Sequence, residues 1–283
     1  MSRRADAHIH LFEGGYQGES FSHRPGVNID EAALYSSFAE LYQVAAALVV
    51  GYTRDPWCAG NNEYLATKVR EVSWARPVAY VAAANPPPIS RLESFKTEGF
   101  VGLSMYLFGE EDLAGLSRID TAVWEWLVDH RWLISVNSRG PDWTAWHPIL
   151  RNHQHLRLII SHLGLPGASD NEVDAAAASK HMKDVLALAE FPGPRMKLSG
   201  FYAATNPGHD YPHRAAWPYV EQAIQHFGVR RLLWGSDFSP HLDWLSFPQT
   251  FGLFSKMPFL SDDDRHRIEG HNLLDLFDAV VTT

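Results

Sequence analysis

The stretch ADAHIHLF at residues 5–12 has the short, nearly continuous apolar character of a β-strand that is covered on both faces. Further runs of this kind follow along the chain, and a longer, helix-compatible segment separates each pair. The runs are VAAALVVGY (44–52), PVAYVAAA (77–84), FVGLSMYLF (100–108), WLISVN (132–137), LRLIISHL (156–163), RMKLSGF (195–201) and RRLLWGSDF (230–238). Eight strand-then-helix repeats in 283 residues predict an α/β protein with a (β/α)8 TIM barrel fold, a single domain over residues 1–283.

The segments between these runs carry the signals of α-helices. In AAWPYVEQAIQHFG, which follows the seventh run, apolar residues recur at helical spacing, and Gly228 lies where a C-terminal cap would. No glycine-rich dinucleotide or phosphate loop follows a strand in the required context. An open Rossmann sheet therefore lacks its signature in this sequence.

Composition narrows the class of function. The chain is 46% hydrophobic, enough for a sizeable core, and its formal net charge of −9 argues against nucleic acid as a partner. No run approaches the roughly 20 apolar residues of a membrane-spanning helix, and the N-terminal residues lack the apolar stretch of a secretory signal. The single cysteine, Cys58, suits a reducing compartment. We expect a cytoplasmic protein without a membrane partner that binds a small-molecule substrate, and the sequence is compatible with a homo-oligomer.

Active sites of such barrels lie at the carboxyl ends of the strands, so the polar residues there are the candidates for chemistry. Residues i and i+2 of a strand share a face, which predicts that Asp6, His8 and His10 point the same way. Loop histidines near strand ends are weaker candidates for substrate contacts: His23, His209, His213 and His241. The strand-end set comprises His8, His10, Tyr52, Arg54, Tyr106, Asn137, Arg139, His162, Tyr202 and Asp237.

Three imidazoles and one carboxylate converge in this set, at His8, His10, His162 and Asp237. Taken singly, each is more often structural, either a buried histidine with a hydrogen-bond partner or an aspartate that caps a helix. Their joint placement at three strand ends instead indicates a reaction centre. The four side chains suit a divalent ion, Zn²⁺ above all, with Asp237 as general base towards a bound water. The same groups could also activate a water by hydrogen bonding alone, without a metal.

Arginines and tyrosines around the predicted mouth suit an anionic or oxygen-rich substrate. Arg54 and Arg139 could bind a carboxylate with both guanidinium nitrogens, although a surface salt bridge is the simpler interpretation of each. Tyr52, Tyr106 and Tyr202 could donate phenol hydrogen bonds to the substrate.

These motifs together resemble the amidohydrolase superfamily, in the amidohydrolase-related branch that includes sugar lactonases, pyrone-dicarboxylate lactonase and non-oxidative decarboxylases. The matching stretches span almost the whole chain: DAHIHLF (6–12), NNEYL (61–65), SHLGLPG (161–167), KLSGFY (197–202), FGVRRLLWGSDFSPH (227–241) and GHNLLDLF (270–277). The resemblance implies a (β/α)8 barrel, hydrolytic or decarboxylating chemistry on a small cyclic or carboxylated substrate, and a site at His8, His10, His162 and Asp237.

The chain departs from the metal-dependent decarboxylases of this group at the fifth strand, where WLISVNSRG has Asn137 in place of a histidine ligand. We therefore expect a hydrolase that opens a lactone, with or without a divalent ion. A zinc-dependent non-oxidative decarboxylase is the alternative, and a barrel that binds a ligand without turnover is a third hypothesis.

Overall fold

The computed structural model describes residues 3–17, 29–169 and 173–281, and it confirms the predicted (β/α)8 barrel. Eight parallel strands follow one another in sequence order around a single sheet. Ile9, at the end of the first strand, pairs in parallel with Phe238, beyond the eighth, and so joins the two edges. The strands are β1 (Arg4–Ile9), β2 (Val44–Val50), β3 (Ala75–Tyr80), β4 (Gly102–Tyr106), β5 (Leu133–Asn137), β6 (Arg157–Ile160), β7 (Arg195–Leu198) and β8 (Leu232–Trp234).

Helices connect and follow these strands. Three of the longer ones begin at aspartates, Asp30, Asp120 and Asp174, whose side chains accept backbone N–H groups of the first turn. The α-helices are α1 (Glu31–Tyr42), α2 (Asn61–Lys68), α3 (Ile89–Glu98), α4 (Glu110–Ser117), α5 (Thr121–Asp129), α6 (Trp146–Asn152), α7 (Ala175–Ala187), α8 (Phe201–Ala204), α9 (Trp217–Phe227), α10 (Gln249–Gly252), α11 (Asp262–His266) and α12 (Asn272–Asp278). Among the described residues no helix is long and apolar enough to cross a bilayer.

Two apolar clusters lie on the outer and the inner face of the strands. The larger one packs outward-facing strand residues such as Val49 and Ile134 against the helices. The smaller one contains Leu48, Leu133 and Leu233, which fill the barrel interior together with residues of α12. Because the apolar interior layer ends below the carboxyl ends of the strands, the space above it is left for polar side chains.

The prediction that Asp6 shares a face with His8 and His10 is wrong. The register between β1 and β2 slips by one residue between Asp6 and Ile9, which is the signature of a β-bulge. The Asp6 carboxylate consequently accepts a hydrogen bond from the hydroxyl of Tyr35 on α1, at 2.9 Å. The bulge turns His8 and His10 towards the mouth of the barrel while Asp6 anchors the strand to its surroundings.

Candidate active site

His8, His162 and Asp237 lie together at the carboxyl end of the barrel, and one ligand atom from each falls within 4.8 Å of the others. The distance from His8 Nε2 to the Asp237 carboxylate is 3.6 Å, and that from His162 Nδ1 to the same carboxylate is 3.9 Å. All three side chains are buried or nearly so. The structure thus brings together three of the four residues that the sequence placed in a reaction centre.

Local backbone geometry holds this cluster in place. His162 and Asp237 both have positive φ, 51° and 61°, and they lie two and three residues beyond the ends of β6 and β8. The Asp237 N–H donates to the His8 carbonyl at 2.8 Å, which links the loop after β8 to β1. Gly200 also has positive φ, and a Cβ atom there would lie 2.7 Å from His162 Nδ1. A side chain at position 200 would therefore displace the imidazole.

His10 lies beside this group and is oriented by the backbone. Its Nδ1 is 2.8 Å from the Val50 carbonyl, to which only a protonated nitrogen can donate, so the proton of neutral His10 is on Nδ1. Its Nε2 is 3.1 Å from His8 Nε2. Burial lowers the pKa of His10 to about 4, which keeps the ring neutral at physiological pH.

Lys197 on β7 is a fully buried lysine that the sequence analysis left without a role. Its Nζ is 2.9 Å from His8 Nδ1, 2.6 Å from Ser135 Oγ and 3.3 Å from Ser161 Oγ. Burial lowers the pKa of Lys197 to about 7, an effect that the charges of Asp237 and Asp6 oppose. The only hint in the sequence was its position on an inward face of a strand.

Tyr202 contacts the carboxylate that the sequence proposed as general base. Its hydroxyl donates to Asp237 Oδ2 at 2.6 Å, and its ring stacks on Trp244 with 6.1 Å between centroids. Burial would raise the pKa of Asp237, but His162, His10 and the Tyr202 hydrogen bond lower it below the ordinary value. The carboxyl group is therefore ionised inside a buried site.

Three tyrosines line the opposite side of the mouth. Tyr52 and Tyr106 have ring centroids 4.8 Å apart, and Tyr80, which the sequence analysis missed, is 6.0–6.1 Å from each. Asn137 ends β5, and its side chain opposes the rise that burial causes in the pKa of Tyr106. Its buried Oδ1 has no partner among the described residues and is free to accept a hydrogen bond from a ligand.

Of the two arginines predicted to bind substrate, Arg54 already has protein partners and Arg139 is exposed. Arg54 donates to the Tyr106 carbonyl at 3.2 Å and pairs with Asp112 at 3.3 Å. Arg139 is exposed and lies over the Phe108 ring, 5.7 Å from its centroid. Neither guanidinium points freely into the cluster, so the described part of the site offers an anionic substrate little cationic contact.

His241 is fully buried, and neither of its ring nitrogens has a hydrogen-bond partner among the described residues. Burial lowers its pKa to about 4, although the nearby Asp237 charge opposes the shift. Its backbone N–H donates to the Asp237 carbonyl at 3.1 Å. The weaker candidate His23 lies outside the described residues.

A third residue that the sequence analysis missed, Glu31 at the start of α1, connects the loops of the mouth. Its buried carboxylate accepts the N–H of Phe12 at 2.7 Å, the N–H of Tyr16 at 3.0 Å, and the hydroxyl of Ser239. These partners belong to the loops after β1 and after Asp237. Glu31 begins a helix and is not a strand-end residue, so no strand-end pattern in the sequence marks it.

The donor set can be tested against a divalent ion. Two imidazoles and a carboxylate within 4.8 Å form a possible metal site. The surroundings of His8 do not fit one, however. Histidines that bind a metal donate their second N–H to a carboxylate, carbonyl or water, whereas the second nitrogen of His8 faces the Lys197 amine, itself a donor.

Comparison with known proteins shows the family and agrees with the fold. A family model described as amidohydrolase matches residues 5–278. An L-fucono-1,5-lactonase of Burkholderia ambifaria is 28% identical over 131 residues, which is 43% of this chain and only 41% of that relative's length.

Two solved structures share the fold at low sequence identity. A probable 2-pyrone-4,6-dicarboxylic acid hydrolase from Acinetobacter baumannii, with citric acid bound, has a TM-score of 0.75 at 18% identity, covering 98% of this chain and 99% of the other. An amidohydrolase from Burkholderia multivorans, with zinc bound, has a TM-score of 0.79 at 17% identity and the same coverage.

Proposed function

Because the chain belongs to the amidohydrolase family, we propose that it is a hydrolase that opens a small lactone, with Asp237 as the base that activates water. The observation that carries the proposal is the buried carboxylate of Asp237, which lies beside the imidazoles of His8 and His162 at the mouth of the barrel and has a lowered pKa. Such a carboxylate can accept a proton from water at neutral pH. The lactonase relative supports the choice of substrate class.

The two carboxylate oxygens of Asp237 have different tasks in this proposal. Oδ2 accepts the hydrogen bond of the Tyr202 hydroxyl, whereas Oδ1 faces His8 Nε2 at 3.6 Å, a separation longer than a direct hydrogen bond. Tyr202 thus acts as a positioning residue that fixes the carboxylate plane. Oδ1 is then the oxygen that takes the proton from the attacking water.

Hydrolysis follows from this arrangement in two steps. The water oxygen bonds to the lactone carbonyl carbon while its proton moves to Asp237 Oδ1, and N–H groups of His8 and His162 stabilise the oxyanion. The ring C–O bond then breaks, and the leaving alkoxide takes the proton back from Asp237. The product is the open hydroxy acid, and the carboxylate is restored for the next turnover.

The details of the mouth favour an uncharged, hydroxyl-rich lactone. Three tyrosines and the free Oδ1 of Asn137 can exchange hydrogen bonds with hydroxyl groups, while Arg54 is already paired with Asp112. Asn137 in place of an imidazole ligand also argues against the zinc-dependent decarboxylase. An intact base beside three imidazoles argues against a barrel that only binds its ligand.

A substrate panel tests the proposal. Purified protein is assayed with neutral sugar-acid lactones, a pyrone dicarboxylate and carboxylated phenols, with acid release and carbon dioxide release measured in parallel. We expect acid release from a neutral lactone without carbon dioxide. Carbon dioxide from a carboxylated phenol would establish the decarboxylase instead, and binding of a panel member without turnover would revive the ligand-binding barrel.

Tyr202→Phe removes the hydroxyl group that donates a hydrogen bond to the Asp237 carboxylate. Loss of a charge-assisted hydrogen bond of about 1.5–3 kcal/mol corresponds to a decrease in kcat of roughly 10- to 100-fold, since each 1.4 kcal/mol is a factor of ten. KM should change little if Tyr202 acts on Asp237 rather than on the substrate. Steady-state kinetics decide: an unchanged kcat with a large rise in KM would make Tyr202 a substrate contact.

The pH profile of kcat/KM should show no loss of activity from protonation of a histidine near its ordinary pKa. Burial, chiefly, lowers the pKa values of His8, His10, His162 and His241, and the pKa of Asp237 is also below its usual value. The active forms, neutral imidazole and carboxylate, therefore persist as pH falls below 6.5, the ordinary histidine value. We expect kcat/KM to have no acid limb centred near that pH. Burial lowers the pKa of Lys197 to about 7, so the profile is also measured for Lys197→Met, and an acid limb near 6.5 that persists in this variant would contradict neutral imidazoles.

A further inference from the structure

Lys197 occupies the bottom of the candidate site, where a buried charge is costly. A lysine is rarely fully buried without an acidic partner, and no carboxylate of the described residues lies within ion-pair distance of its Nζ. An apolar side chain of similar length would fill the same space at lower cost. The presence of the amine therefore calls for a role in the site.

The surroundings of Lys197 define the direction of its hydrogen bonds. An ammonium group has three donors and no acceptor, and the three atoms nearest to it are Ser135 Oγ, Ser161 Oγ and His8 Nδ1. A neutral amine still has two donors, while a serine hydroxyl can donate to its lone pair. In both forms Lys197 can donate to His8 Nδ1.

A directed chain of hydrogen bonds follows from this contact. A hydrogen bond donated by Lys197 to His8 Nδ1, 2.9 Å away, places the proton of neutral His8 on Nε2. The Nε2–H points at His10 Nε2, 3.1 Å away, and at Asp237 Oδ1, 3.6 Å away. His10 in turn donates from Nδ1 to the Val50 carbonyl at 2.8 Å. Each ring nitrogen of His8 and His10 is thereby either a donor or an acceptor, and the chain of hydrogen bonds runs from Lys197 to the Val50 carbonyl of β2.

We propose that Lys197 is a positioning residue that fixes His8 in the tautomer protonated on Nε2. The Nε2–H then donates to His10 Nε2 in the free protein and is shared with a substrate oxygen that binds beside it, and the same tautomer weakens the binding of a divalent ion. The donor role rests on the proposed function, because it is the lactone oxyanion that the Nε2–H would stabilise. The effect on metal binding does not depend on the substrate.

The cost to metal binding arises at His8. A metal takes the lone pair of an unprotonated nitrogen, so binding at His8 Nε2 moves the proton to Nδ1, against the Lys197 amine. In a variant without the amine, Ser161 Oγ, 3.4 Å from His8 Nδ1, could accept a hydrogen bond from the protonated Nδ1. Removing the amine should therefore strengthen metal binding even though no ligand is added.

Lys197→Met is the direct test, because methionine keeps most of the volume and removes the donor. Ser104→Ala is the matched control. Ser104 is paired with Ser135 in the strand register and is buried, and its hydroxyl has no partner among the described residues. Zinc affinity of each folded protein is measured by competition with a chromophoric chelator. We expect Lys197→Met to bind zinc about 10- to 100-fold more tightly than wild type, and Ser104→Ala to match wild type.

A second measurement uses the wild-type protein, so it survives a Lys197 variant that does not fold. Two-bond ¹H–¹⁵N correlation spectra of histidine-labelled protein identify which ring nitrogen is protonated, with His8 assigned by loss of its signals in His8→Gln. We expect His8 protonated on Nε2. A proton on Nδ1, or zinc affinity equal in wild type and folded Lys197→Met, would overturn the proposal. Neither readout needs a substrate, so failure of the lactone panel alone would count only against the proposed function.

Discussion

Asp237→Asn is expected to lower kcat for lactone hydrolysis by about 10²- to 10⁴-fold, the usual contribution of a general base. Asparagine has nearly the same shape, and its carbonyl oxygen can still accept the Tyr202 hydroxyl, which now lies 2.6 Å from Oδ2. It cannot take a proton from water. Substrate binding should survive, so KM should change far less than kcat.

The experiment is a steady-state comparison with Asp129→Asn, which makes the same chemical change at an exposed residue that ends α5. That control should retain wild-type kcat. Thermal unfolding of both variants would show that the folds are intact. Full activity of Asp237→Asn on the true lactone would refute Asp237 as the base, whatever the identity of the substrate.

The barrel itself could be predicted because each strand leaves a local signal. Strands covered on both faces are apolar along their length, and eight such runs can be counted without knowing any tertiary contact. Strand ends leave a weaker signal. The third predicted run reaches residue 84, whereas β3 ends at Tyr80, so the sequence does not mark Tyr80 as a strand-end residue. Apolar loop residues that pack below the helices look the same in sequence as strand residues.

Other features of the site depend on contacts between distant segments. The bulge that turns Asp6 away from His8 lies in the pairing of β1 with β2 and has no residue signature such as glycine. Lys197 could be placed on a strand from its neighbours, but its contact with His8 joins residues 189 positions apart. Convergence of His8, His162 and Asp237 was predictable only because the barrel gathers all strand ends at one rim.

The bulge at Asp6 leads to a large expected effect on stability. Asp6 Oδ1 accepts the N–H of Ser236 at 2.8 Å and that of His8 at 3.1 Å, and Oδ2 accepts the Tyr35 hydroxyl. One buried carboxylate thus joins β1, the segment after β8 and α1 at the seam where the barrel closes. Asp6→Ala would leave two backbone N–H groups buried without acceptors, so the free energy of unfolding should fall by about 3 kcal/mol or more.

Asp6→Asn separates the hydrogen bonds from the charge, because its carbonyl oxygen can still accept both N–H groups. Burial raises the pKa of Asp6 to about 6, above its ordinary value near 3.9 in an unfolded chain. Wild-type stability from this group is therefore full below the unfolded pKa and declines as pH rises through about 6. Urea unfolding at several pH values should show this decline in wild type and its loss in Asp6→Asn, with a much smaller penalty than in Asp6→Ala. Equal stability of Asp6→Ala and wild type would mean that the carboxylate does not hold the closing seam, and Ser236, next to Asp237, would then need another anchor.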